Sequence, residues 1–278
     1  MPERPDLEYV VPILARELVG LRVVGAAARK PVVLRCAIAE VRGEIFSVRR
    51  QTHAVVFGMG AHDLVILPML AGRFELASEA AKDPGDTAAR FLLSDGRVLR
   101  YRDDVQMGKV WWTTPGAAIA GLEVGGVDVL GPEFTRERFR LLAKGRRDQA
   151  KVFLKDKSAL DAMGNAYADE VLFAAGIHPK RLVSRLSPAD LDRLHDSIVA
   201  VLRNARETIA ARSPPLSEKV RDFLHVRGRK DQPCDRCGTT LRVAGIHGHD
   251  AFFCPTCQPD VDGRGFVDWR RVGGGEGG

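Results

Sequence analysis

QAKVFLKDKSALDAMGNAYADEVLFAAGIHP, residues 149–179, is the stretch on which the reading of this 278-residue chain turns. Apolar residues recur at helical spacing on both sides of a short break. The pattern predicts a helix ending near Asp161, a tight Ala162-Met163-Gly164-Asn165 turn, and a second helix starting near Tyr167. A helix start offers unpaired backbone N–H groups, so such a pair of helices can hold a phosphate, with Asn165 adding a side-chain donor. Taken alone, the same residues also describe an ordinary helical hairpin in which Gly164 only permits the turn.

Helical patterning extends on both sides of this stretch. FTRERFRLLAKG at 134–145 and SPADLDRLHDSIVAVLRNARETIAAR at 187–212 carry helix-spaced apolar residues. The second opens with a capping serine and a proline in its first turn. SPPLS at 213–217 then breaks the pattern. Upstream, from about Arg22 to Leu130, the period changes. Short β-branched runs (VVLRCAIAEVRG, IFSVRR, HAVVFGMG, LVILPML, RFLLSDGRVLRYRDD) alternate with Gly, Asp and Pro signals. They predict an antiparallel sandwich or barrel. LASEAAKDPGDTAA at 76–89 reads as a flexible connection between two of its strands. Residues 1–14 read as a helix, with Leu7, Val10, Val11 and Leu14 on one face. The chain is therefore α+β and multidomain: an N-terminal helix with an antiparallel β-sandwich domain, a helical domain and a small C-terminal module.

That module is CDRCGTTLRVAGIHGHDAFFCPTC, Cys234 to Cys257. Two C-x2-C knuckles flank sixteen residues that alternate around a Gly-containing turn. Structural zinc wants four soft ligands in a tetrahedron, and each knuckle places two thiolates close together. Cys234, Cys237, Cys254 and Cys257 are thus assigned to one structural Zn2+, with no open position for water. His247 and His249 read as exposed hairpin residues. Arg227, Arg229, Lys230, Arg236 and Arg242 flank the knuckles and could grip phosphate, although zinc ribbons also mediate protein contacts. Cys36 sits in an apolar run and reads as core. The tail VGGGEGG at 272–278 reads as disordered.

Composition narrows the partners. Lys and Arg number 42 against 36 Asp and Glu, a formal charge of +6 that favours a polyanion. No stretch approaches the roughly 20 apolar residues of a membrane span. Pro5, Asp6 and Glu8 interrupt what a secretory signal would need, which points to the cytoplasm.

Three separated motifs carry a family resemblance. They are MPERPDLE at 1–8, KDKSALDAMGNAYADEVLFAAGIHP at 155–179, and PCDRCGTTLRV with AFFCPTCQ at 233–258. In this order the chain resembles the Fpg/Nei DNA glycosylases, bacterial enzymes that excise oxidised bases. The second motif is similar to that family's helix–two-turn–helix, with its Gly-Asn-x-Tyr-x-x-Glu run. The resemblance implies a catalytic β-sandwich domain at 1–130, a helix–two-turn–helix DNA-binding domain at 131–215 and a zinc finger at 216–271. It implies removal of Met1, Pro2 as an amine nucleophile at C1′ of the deoxyribose, and Glu3 as the general acid. A Schiff base and strand scission by β- or β,δ-elimination would follow. Lys151 and Asn165 fall on phosphate-gripping positions. Leu70, with Met69 beside it, falls on the loop that fills the void left by an extruded nucleotide, though an apolar pair at a strand end also fits core packing. The implied partner is duplex DNA with a damaged base or abasic site, met by a monomer on the bacterial nucleoid.

The chain departs from the family at three places. A lysine falls on Thr52, with His53 on an aromatic or histidine position. An intercalating Arg-Phe pair becomes Gln106-Met107. A phosphate-gripping zinc-finger arginine becomes His249. These changes leave the excised lesion open. They also motivate a second expectation, a scaffold that binds damaged or abasic DNA with lost or narrowed excision. A zinc-ribbon protein acting on RNA or protein is a third, opposed by the MPE start.

Overall fold

The computed structural model describes residues 2–122, 125–161 and 163–260. Met1, Glu123, Val124, Ala162, residues 261–271 and the Gly-rich stretch at 272–278 lie outside the described residues. Helix α1 spans Arg4–Leu18 and is followed by strands β1 (Arg22–Ala28), β2 (Gly43–Glu44), β3 (Ser47–Gln51), β4 (Ala54–Met59), β5 (His62–Leu67), β6 (Arg73–Ser78), β7 (Thr87–Leu93), β8 (Arg97–Arg102) and β9 (Lys109–Thr113). Two antiparallel sheets result, ordered β2-β1-β7-β8-β6 and β3-β4-β5-β9. Alternation along the strands sends Val55, Phe57, Leu64 and Ile66 of one sheet, and Phe91, Leu99 and Tyr101 of the other, into a shared core with Leu7, Leu14 and Leu18 of α1. Each such side chain contributes about 1.5–3 kcal/mol, against about 0–1 for an exposed ion pair, so apolar burial holds the sandwich.

The second lobe contains β10 (Val127–Asp128), α2 (Arg136–Ala143), α3 (Ala150–Leu154), β11 (Leu160–Asp161), α4 (Asn165–Ala175) and α5 (Pro188–Arg212). Its core gathers Phe139, Phe153, Tyr167, Leu172, Leu194, Ile198 and Leu202. The predicted start of α5 is present: Ser187 Oγ accepts from Asp190 N and Asp190 Oδ2 accepts from Ser187 N, each at 3.1 Å. The zinc module contributes β12 (Arg242–Ile246) and β13 (His249–Phe253), joined by a two-residue turn in which His247 and Gly248 have φ of 46° and 76°.

Two expectations are corrected. VVLRCAIAEVRG reads as strand, yet Pro31–Val33 and Ile38–Glu40 are single 3-10 turns; Pro31 supplies no N–H to a ladder. The helix expected to reach Asp161 stops at Leu154. Asp156 Oδ1 accepts from Ser158 N and Oγ, turning the chain, and Leu160–Asp161 then pair in parallel with Val127–Asp128. The next helix starts at Asn165, two residues before Tyr167. The 76–89 connection is also tethered, since Asp83 and Asp86 accept from Arg100 and Arg102.

The lobes and the zinc hairpin converge on α4. Arg4 and Arg50 from the sandwich side meet Asp128 and Asp161 of the helical lobe. Gln258 bridges Cys254 N and the carbonyl of Ile177, which anchors the hairpin beside the end of α4. Glu170, buried on α4, accepts from the backbone N–H of His225, Val226 and Arg227 at 2.8–2.9 Å. Truncating it strands three backbone donors, each costing about 1–3 kcal/mol if buried. Of the three only the Val226 bond is fully buried, so Glu170→Ala should lower stability by about 1–3 kcal/mol in urea unfolding. Glu170→Gln, which keeps one acceptor oxygen, should lose less.

Candidate active site

Glu3 reaches across the molecule to the start of α4. Its carboxylate accepts from Gly164 N at 3.1 Å, Ala166 N at 2.9 Å and Tyr167 N at 3.1 Å. The helix N–H groups that the sequence offered to a phosphate are thus occupied by an internal anion. Gly164 is required for this approach: a Cβ there would lie 2.5 Å from Glu3 Cδ. Burial lifts the Glu3 carboxyl above its usual range, against the pull of the Ala166 and Tyr167 N–H groups. Such a group holds its proton closer to neutrality than an ordinary glutamate, as a general acid requires.

The surroundings fix both N-terminal residues. Pro2 is buried two residues ahead of α1, and Glu3 N donates to Asp6 Oδ2 at 2.7 Å. Asp6 is paired with Arg221, whose guanidinium also donates to Tyr167 Oη at 2.8 Å. Lys219 lines a small cavity with Pro2, and burial lowers its pKa to about 8. His53 is fully buried and the Pro2 backbone acts on its ring; burial, with the charges of Lys157 and Arg50, drives its pKa down to about 3. Asn165, at the first turn of α4, has a buried Oδ1 without a hydrogen-bond partner.

Lys151 is placed differently from what its sequence position suggests. It is 1% exposed, with Nζ bonded to Asp169 Oδ1 at 2.6 Å and to the Asp250 carbonyl. Asp169 also pairs with Arg227 at 2.9 Å. Burial pushes Lys151 down and Asp169 up to about 6, with Lys151 and Arg227 both pulling Asp169 back toward the ionised form. Beside it, a cavity of about 430 Å³ is lined by Arg146, Lys151, Lys155, His247 and His249. Burial, then Lys151, lowers the Lys155 pKa, and Lys155 in turn lowers that of His249. Asp148 and Asp156 also line the cavity and pair with Arg146, so among the described residues Lys155, His247 and His249 are the lining basic groups without a carboxylate contact of that kind.

Two exposed loops stand at one end of the sandwich. Leu70 is 49% exposed at φ 33°, with Met69 half-buried behind it. Lys219 Nζ donates to the Leu70 carbonyl at 2.6 Å. In the neighbouring loop Val105 and Met107 are exposed and Gln106 has φ 58°. Asp103 accepts from Gln106 N, Gly108 N and Tyr101 Oη at 2.8–3.0 Å. Gly108 has no alternative, since a Cβ would fall 1.7 Å from Tyr101 Oη. At the opposite lobe the four cysteine sulfurs lie within 4.8 Å of one another, with Cys234–Cys257 at 3.9 Å and Cys237–Cys254 at 3.5 Å. A zinc tetrahedron with bonds of about 2.3 Å has edges of that length, so the set fits one structural zinc.

Sequence reasoning found the ends of this arrangement and missed its middle. Asp6, Arg221, Asp169 and Glu170 were not singled out. Glu170 closes the Gly-Asn-x-Tyr-x-x-Glu run, and that run was the available signal.

With the geometry in place, the comparisons agree. Residues 1–110 match the formamidopyrimidine-DNA glycosylase N-terminal domain, 126–213 its H2TH domain, and 231–259 the zinc finger found in FPG and IleRS. The formamidopyrimidine-DNA glycosylase of Gloeobacter violaceus is 33% identical over 93% of this chain and 98% of its own length. That of Symbiobacterium thermophilum is 31% identical over 95% and 91%. The fold matches Lactococcus lactis Fpg, solved with DNA containing an abasic site, with a TM-score of 0.84 at 24% identity, covering 93% of this chain and 100% of that one. The chain belongs to the formamidopyrimidine-DNA glycosylase family.

Gly164→Ala should displace the Glu3 carboxylate. The expected cost is about 1–3 kcal/mol in urea unfolding, as for other overpacked sites. Amide exchange at the start of α4 should accelerate; unchanged protection there would contradict the geometry.

Proposed function

We propose that this protein is a base-excision DNA glycosylase with AP lyase activity, acting as a monomer on duplex DNA that carries a damaged base or abasic site. The observation that carries the proposal is the buried junction at which Glu3, its pKa raised by burial, is held against the start of α4 with the buried Pro2 next to it in the chain. Removal of Met1 would leave Pro2 with a free secondary amine. An α-amino group has a pKa of about 7.7–8.0, so an unprotonated fraction exists near neutrality. The Pro2 nitrogen attacks C1′, the glycosidic bond breaks, and the base leaves with the bonding pair. Glu3 delivers its proton to O4′ as the sugar ring opens, which leaves an iminium ion on C1′. That cation acidifies C2′. Loss of a C2′ proton expels the 3′ phosphate, and water hydrolyses the iminium to restore the amine.

DNA would lie along the basic face of the junction. The cavity of Arg146, Lys155 and His249 would take a backbone phosphate, and Asn165 would add contact at the start of α4. Leu70, apolar, exposed and in a left-handed conformation, would enter the gap left by the extruded nucleotide, with Met69 behind it. One specific observation favours a second outcome. By the family resemblance, Thr52, Gln106 and His249 replace cations of the family pattern, which would suit binding of abasic DNA with narrowed excision.

Borohydride should join the protein covalently to abasic duplex DNA, and Pro2→Gly should abolish most of that product. Trapping unchanged in Pro2→Gly, or methionine still attached in the active protein by mass spectrometry, would remove Pro2 from the mechanism. Glu3→Gln should slow base excision by about 10²–10⁴-fold. Excision should fall as pH rises through the raised Glu3 pKa, because the acid must be protonated. Trapping on ready-made abasic sites should instead rise through about pH 7.7–8.0 as the amine loses its proton. A panel of single-lesion duplexes, with and without alkali, identifies the base removed; binding without product across the panel would favour the second outcome.

A further inference from the structure

The loop between β5 and β6 turns on an unfavourable residue. Gly72 N donates to the Met69 carbonyl at 2.6 Å, which closes a four-residue turn with Leu70 and Ala71 at its centre. Leu70 sits there at φ 33°, a left-handed conformation that glycine or asparagine adopts at far lower cost. A bulky side chain in that region is strained, and half of the Leu70 side chain stands in solvent, so burial offsets only part of the strain. The turn has a rigid footing, because a Cβ on Gly72 would lie 2.6 Å from Pro68 Cα and 2.8 Å from Tyr101 Oη.

What holds the tip comes from a distant part of the chain. The Leu70 carbonyl lies outside the turn's own bond and accepts from Lys219 Nζ at 2.6 Å, across 149 positions of sequence. Arg73 Nη1 donates to the next carbonyl, that of Ala71, at 3.2 Å, and its guanidinium is paired with Asp86. Lys219 belongs to the segment that follows α5, and that segment is fastened to α1 on either side of it. Tyr9 Oη donates to the Pro214 carbonyl at 2.7 Å, and Asp6 pairs with Arg221. Lys219 also lines the small cavity that contains Pro2, Asp6, Gly72 and Arg73. One side chain therefore links the wall of the Pro2 cavity to the tip of the Leu70 loop.

We infer that Lys219 is a positioning residue, whose bond to the Leu70 carbonyl holds the Leu70 side chain in the direction from which it enters the gap left by an extruded nucleotide. This rests on the reading of Leu70 as the void filler and adds the residue that aims it. A wedge has to resist the duplex closing back on it. On an untethered loop, leucine would relax toward the right-handed or extended backbone, and its side chain would swing with φ. A hydrogen bond from an ammonium is roughly twice as strong as a neutral one, which suits it to oppose the strain of a single residue. The bond to a carbonyl, with the segment tied down on both sides, aims Nζ at the loop. Lys219 thus acts through Leu70 and not as a phosphate contact of its own.

The test uses the full protein and duplex DNA with 2-aminopurine opposite an abasic site. Fluorescence reports entry of the wedge, and single-turnover borohydride trapping reports the chemistry. Lys219→Met keeps the side-chain stem and removes the donor. It should slow trapping by about fivefold or more and shrink the fluorescence change on binding by about half. Lys219→Arg, which can still donate, should stay within about twofold of wild type. Leu70→Ala should slow trapping at least as much as Lys219→Met. Adding Lys219→Met to Leu70→Ala should then cost less than about twofold more, because the clamp has nothing left to aim. A full effect of Lys219→Met in the Leu70→Ala background overturns the inference. So does a fall of about one unit in the slope of log Kd against log salt in Lys219→Met, which marks a phosphate contact. If Lys219→Met fails to fold, Lys219→Gln against Lys219→Arg decides, and equal rates refute the role. In a protein that binds abasic DNA without trapping, the same cycle read by fluorescence decides. Wild-type behaviour of Leu70→Ala refutes the wedge reading, and the inference falls with it. A slow Leu70→Ala beside a wild-type Lys219→Met refutes only the part played by Lys219.

Discussion

A single carboxylate closes this molecule. Glu3, three residues from the start of the chain, satisfies the open N–H groups of a helix that begins at Asn165. The contact joins a β-sandwich to a helical lobe, beside the ion pairs of Arg4 and Arg50 with Asp128 and Asp161. The terms act in opposite directions. Burial disfavours the charged carboxylate, while three backbone donors and the positive end of the helix favour it. Burial prevails in setting the direction of the shift, so the group that fastens the lobes also has its pKa raised above the ordinary carboxylate range. Architecture and acid chemistry are therefore two properties of one side chain.

Helix α4 repeats that device along its length. Its first turn meets Glu3, Tyr167 is bonded to Arg221, Asp169 gathers Lys151 and Arg227, and Glu170 caps the backbone at 225–227. Each charge on the helix is matched by a named partner from a different part of the chain. Buried ion pairs contribute little net stability compared with apolar packing, but breaking one leaves an uncompensated charge. The helix is thereby held in one orientation relative to the sandwich, the zinc hairpin and the linker before it. Pro2 inherits its position from that arrangement.

Much of this was legible in the sequence, and the reasons are physical. Cysteine spacing translates directly into a tetrahedron, so the zinc module could be read without knowing its surroundings. Period-two and helical patterning reflect which face is buried, and they located the sandwich, α1 and α5. Gly164 was read as either a phosphate-binding turn or a simple bend. It is neither, because its lack of a side chain serves Glu3, 161 positions away, and no local pattern encodes such a distance. The end of α3 was misplaced for a related reason: Leu160 keeps helical spacing but is claimed by pairing with Val127. Lys151 was legible as a residue of consequence, whereas its burial against Asp169 depends on tertiary packing. The Leu70 turn was visible only as an apolar pair at a strand end, since its left-handed backbone and its bond to Lys219 exist only in three dimensions.

The paired loops at the end of the sandwich have a consequence for how such a protein can diversify. Tyr101, Asp103 and the bare backbone of Gly108 hold the second loop from beneath, while Leu70 and Met107 present half-exposed side chains at the tips. Mutation at the tips is therefore thermodynamically cheap and mutation at their footing is ruinous. A lineage can exchange the probes it presents to DNA, one residue at a time, without passing through an unfolded ancestor.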